Sequence, residues 1–86
     1  MSDEEVVALA QLLEADLLKL YGAPVLTGES LQKSLGYKTI FALRQAISRK
    51  KFPVKTFLLS NRGGKYALVK YIAHYLASNA VKEEKI

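Results

Sequence analysis

Residues 31–82 carry eleven basic side chains and no acidic one: Lys33, Lys38, Arg44, Arg49, Lys50, Lys51, Lys55, Arg62, Lys65, Lys70 and Lys82. The chemistry open to such a set is electrostatic: it attracts and holds a polyanion. Asp3, Glu4, Glu5, Glu14, Asp16 and Glu29 all precede it, and Glu83 and Glu84 follow it. A face that only keeps a protein soluble mixes both signs. Segregation therefore points to one positive module in a chain of net charge +5.

Other chemistries lack their reagents. There is no cysteine, which excludes disulfides, thiolate nucleophiles and Cys-ligated metal sites. His74 is the one histidine. It has no acidic neighbour in sequence to orient it as a base, and no second histidine to complete a metal site. It reads as a structural residue. Gly63-Gly64 sits in a turn signal and does not lead into a helix, so it is no phosphate loop. Tyr66, Tyr71 and Tyr75 read as packing residues, not as platforms for single-stranded bases. The chain is expected to be no enzyme and to use no cofactor and no metal.

Around this charge, 86 residues are enough for one domain. Half of them are apolar, so a core is expected and disorder is not. Residues 1–5 are acidic, unlike the basic start of a signal peptide. The longest apolar stretch is cut by Glu14, Asp16 and Lys19, so no membrane span is expected. These features fit a cytoplasmic protein.

The elements that must position the charge follow from spacing. Residues 3–21 read as a helix with Asp3, Glu4 and Glu5 at its positive end. Val6, Leu9, Leu13, Leu17 and Leu20 form its stripe, widened by Val7, Ala10, Leu18 and Tyr21. Gly22 stops it and Pro24 prevents its resumption. An arc this broad has surface to spare, so residues 1–22 are a candidate dimer element. Val25-Leu26 reads as a short extended link. A second helix spans about residues 29–35, with Leu31 and Leu35 inward and Gly36 after it. A third spans about residues 38–49, with Ile40, Leu43, Ala46 and Ile47 inward. Two short helices joined by a tight Leu35-Gly36-Tyr37 turn have the pattern of a helix-turn-helix. Residues 52–59 and 65–68 read as two strands of a hairpin, and Ser60-Asn61-Arg62-Gly63-Gly64 as its turn. A last helix is expected over residues 69–79, with Val69, Ile72, Ala73 and Leu76 on one face. Residues 80–86 are expected to fray.

Leu26-Thr27-Gly28-Glu29-Ser30-Leu31, Leu35-Gly36-Tyr37, Leu43 and Ile47, Phe52-Pro53-Val54, and Val69, Ile72 and Leu76 fall in a familiar order. The chain here resembles the winged helix-turn-helix of the MerR/excisionase superfamily, among small phage and plasmid regulators of the AlpA-like and pyocin-activator-like kinds. The resemblance covers about residues 20–76 and rests on hydrophobic spacing plus Gly36 and Pro53. It departs in two places. The segment between Gly36 and Pro53 is slightly longer than the pattern, and Lys70 and Tyr71 stand where acidic residues often open the last helix. The resemblance implies an α+β, mostly helical fold: a winged helix-turn-helix with an extra N-terminal helix and one β-hairpin wing. It also implies a small transcriptional regulator or excisionase-like factor.

A helix fits the major groove of DNA, and its outward side chains read base edges. Lys38, Thr39, Ala42, Gln45 and Arg49 are expected to point away from the inward face, flanked by Arg44 and Ser48. Arg pairs bidentately with guanine and Gln with adenine, which favours Arg44, Gln45 and Arg49 for direct readout. The superfamily's first-turn contacts add Lys38 and Thr39. Arg49, Lys50 and Lys51, with Lys55, suit phosphate, the source of most nonspecific affinity. Asn61, Arg62 and Lys65 form a basic wing over residues 60–65, for the backbone or the minor groove. Double-stranded DNA is the expected partner, bound by a homodimer that suits palindromic sites. Two other readings stay open: an adaptor that binds RNA polymerase or another regulator, and an RNA-binding module.

Overall fold

A computed structural model describes residues 3–59 and 63–83. The chain is mostly helical with a small antiparallel sheet. In order come α1 (Asp3–Tyr21), β1 (Val25–Leu26), α2 (Gly28–Ser34), α3 (Ile40–Ser48), β2 (Ala67–Leu68) and α4 (Val69–Glu83). No helix among the described residues is long and apolar enough to cross a membrane.

α1 and α4 form the long packed pair. Val6 of α1 is buried against Ala77 and Val81 of α4, with Leu9, Ala10 and Leu13 beside them. Leu17, Leu18 and Tyr21 carry the same face on into the main core of Leu26, Leu31, Leu43, Val54, Ala67, Val69 and Ile72. The stripe expected on α1 is therefore mostly inward, with two corrections. Leu20 is 72% exposed and Val7 is exposed too. Leu12, outside the stripe, is 65% exposed. Leu17 and Tyr21 already pack against the core, and Leu20 falls about 60° from Leu17 on the helix wheel, on the side away from Tyr21.

α4 is longer than its sequence suggests. Ser78 and Asn79 are weak helix formers, yet the helix continues to Glu83 and Val81 is buried. Asn79 stays helical with its Nδ2 donating to the Tyr75 carbonyl, 2.9 Å away. Fraying expected from residue 80 therefore does not begin there; residues 84–86 lie outside the described part.

The sheet differs from the expected hairpin. β2 pairs with β1, Val25 opposite Leu68 and Leu26 opposite Ala67. The Val69 N–H donates to the Pro24 carbonyl at 2.8 Å and lengthens this ladder. Residues 52–59 form no regular strand. One bridge joins Phe57 to Tyr66, with two backbone hydrogen bonds of 2.9 and 2.8 Å. The two rings sit 6.5 Å apart over it. Burial explains the choice of partner: Leu26 and Ala67 are core residues, whereas Lys55 and Leu58 face water.

Candidate nucleic-acid interface

α2 and α3 are held by one buried leucine each, Leu31 and Leu43. Thr39 caps α3: its Oγ1 accepts the Ala42 N–H at 3.0 Å. The helix thus begins at Ile40, and Lys38 and Thr39 stand just before it. The Thr39 oxygen is committed to the cap, while its O–H remains able to donate. Thr27 precedes α2 but makes no side-chain cap. Its hydroxyl donates instead to the Lys65 carbonyl at 2.6 Å, tying the segment before β2 to the start of α2.

Both helices end in the same backbone motif. After α2, the Gly36 N–H donates to Lys33 and the Tyr37 N–H to Gln32, at 3.2 and 3.0 Å. After α3, the Lys50 N–H donates to Ile47 and the Lys51 N–H to Ala46, at 3.1 and 2.9 Å. These are Schellman bond pairs, and they need a left-handed residue just past the helix. Gly36 supplies it at φ 79°, and Lys50 at φ 58°. Lys50 is the one non-glycine residue with positive φ among those described. The turn leaves Arg49, Lys50 and Lys51 all exposed.

The outward face of α3 differs from the one expected. Phe41, Arg44 and Ser48 are exposed, whereas Ala42 and Gln45 are half-buried. Phe41, 68% exposed, was not singled out by the sequence. A signal for it was there: Phe41, Arg44, Gln45 and Ser48 follow the three-, four- and seven-residue spacing of a single helix face.

Arg44 and Ser48 line a groove of about 370 Å³ with Thr27, Gly64 and Lys65, floored by Leu31 and Leu43. The structure thus brings α3 together with Gly64 and Lys65 of the segment expected to form the wing. Lys55 is elsewhere: it lines a separate groove of about 500 Å³ with Lys70, Tyr71 and His74 of α4. His74 is exposed there. Of the tyrosines, Tyr66 is buried and Tyr75 half-buried, while Tyr71 is exposed. Asn61 and Arg62 of the wing tip lie outside the described residues.

Among the described residues, Lys38, Arg44, Arg49, Lys50, Lys51, Lys55 and Lys65 form no ion pair. Lys33 pairs with Glu29 instead, at 4.0 Å on the exposed side of α2. The field of the α3 cations is therefore not cancelled locally. Tyr37, behind the turn, stacks on Phe52 with ring centroids 6.0 Å apart. Burial pushes its hydroxyl above the ordinary tyrosine value, and Tyr75 adds to the shift. Compared with protein-family models, curated proteins and solved structures, the chain matches none.

Proposed function

We propose that this chain is a winged helix-turn-helix protein of the MerR/excisionase kind that binds double-stranded DNA sequence-specifically. In this reading α3 enters the major groove, and residues 60–65 lie on the backbone or in the minor groove. It acts in the cytoplasm by occupying its site, as a small transcriptional regulator or excisionase-like factor, and performs no catalysis. The observation that carries the reading is the shared groove. Arg44 and Ser48 of α3 line it with Lys65, the base of the proposed wing, on a surface whose cations have no acidic partner among the described residues. Arg44 and Gln45 then read bases, while Arg49, Lys50 and Lys51 hold phosphate.

A homodimer is part of this proposal. Leu12 and Leu20 are exposed on α1 and belong to neither core cluster. The same leucines favour a second reading, an adaptor that docks on RNA polymerase or another regulator. Sedimentation at tens of micromolar separates a dimer from a monomer.

Fluorescence anisotropy with random duplex DNA at low salt tests the function. Binding at micromolar protein that weakens steeply with salt is expected; no binding rejects the reading. Arg44→Ala is expected to relax sequence preference, at a cost of about 1–3 kcal/mol on the preferred site. Lys51→Ala is expected to weaken all sequences about equally. Equal effects of both variants reject this division of labour.

A further inference from the structure

Phe41 is an unusual member of a polar face. It sits in the first turn of α3 and is more than two-thirds exposed. Arg44, Gln45 and Ser48 lie three, four and seven residues further on, so all four share one side of the helix. Lys38 precedes the helix beside them. The core has no place for this ring: Leu43, with Ile47 beside it, occupies the inward side. An aromatic ring left in water forgoes the free energy of its burial. A partner that covers this face must therefore offer anion and hydrogen-bonding groups to its neighbours and an apolar group to Phe41.

The major groove offers one such combination. Its base edges present hydrogen-bond donors and acceptors, and the thymine C5-methyl is the apolar feature among them. Arg, Gln and Ser answer the polar edges, and Phe answers the methyl. Charge favours DNA over a second copy docked by the same face or another apolar surface, because residues 31–82 hold no acidic side chain and this face would meet like charge in the copy. We propose that Phe41 is a specificity residue that contacts a thymine methyl in the bound site. This rests on the DNA-binding reading above.

The test removes only the methyl. A duplex enriched by the wild-type protein from a random pool is prepared twice, with thymine and with uracil in its place. Wild type is expected to bind the uracil duplex about fourfold more weakly, the effect of one buried methyl-sized group. Phe41→Ala is expected to bind both duplexes alike, and Phe41→Leu to keep part of the difference. Wild type that ignores the exchange overturns the proposal, and so does an equal loss in wild type and Phe41→Ala. Phe41 is exposed, so both variants are expected to melt with the wild type. If no duplex is enriched at all, the DNA-binding reading fails and the role of Phe41 falls with it.

Discussion

α2 and α3 end in one backbone motif and place opposite residues in it. Past α2 stands Gly36, followed by Tyr37, whose ring turns inward to stack on Phe52. Past α3 stands Lys50, followed by Lys51, and both face water. The hydrogen bonds at the two ends match to within a few tenths of an ångström. Glycine adopts the left-handed conformation freely, whereas a side chain there costs about 1–2 kcal/mol. Stopping a helix does not require a lysine. Strain kept by a surrounding structure is a pointer to function. Here it falls in the middle of the Arg49, Lys50 and Lys51 cluster. The difference teaches that α2 is finished for folding and α3 for presentation: one turn closes the core and the other displays charge.

Packing should not distinguish the two helices, and the largest expected effects test that. Leu31 and Leu43 are each the buried anchor of their helix. Leu31→Ala and Leu43→Ala should each cost about 2–5 kcal/mol in denaturant unfolding. A large gap between them would mean that the helices differ in attachment and not only in their ends.

The caps should differ in sign. Gly36→Lys gives α2 the ending of α3. A Cβ at Gly36 meets nothing within 4 Å, so its cost is conformational, about 1 kcal/mol. Lys50→Gly gives α3 the ending of α2 and should stabilise the protein by about 0.5–1 kcal/mol, because relief of left-handed strain exceeds the extra chain entropy of glycine. The same substitution should weaken binding to duplex DNA of any sequence. A Lys50→Gly protein that is more stable and binds DNA undiminished would remove the functional reason for the strain.

The smallest effect is alkaline. The folded Tyr37 hydroxyl holds its proton more tightly than the unfolded one, because of burial first and Tyr75 second. Its contribution to stability is thus complete below the ordinary tyrosine value near 10 and falls as pH rises above it. Tyr37→Phe should lose less stability than wild type as pH rises from neutral to above about 10. Parallel losses in both proteins would show that Tyr37 carries no pH dependence.

Much of this arrangement was legible in the residues. Helical spacing located all four helices, and Gly22 and Gly36 marked two of their ends. The end of α3 was placed to within a residue, but its left-handed Lys50 was hidden, because only the backbone, not the residue type, carries that signal. The partner of β2 was hidden for another reason. Ala67 pairs with Leu26, some forty residues away, and that choice follows from core burial rather than from the adjacent turn. Val7 and Leu20 belong to an arc too wide for spacing alone to divide. Phe41 was missed because aromatic residues are usually buried, although its spacing from Arg44 and Ser48 placed it outside.

The central claim is that α3 presents a face that reads duplex DNA. Selection of bound sequences from a random duplex pool, with wild type and Arg44→Ala in parallel, tests it most directly. Wild type should enrich one consensus with two-fold symmetry, and Arg44→Ala should lose preference at a defined base pair in each half. A wild-type pool indistinguishable from the input would contradict the account.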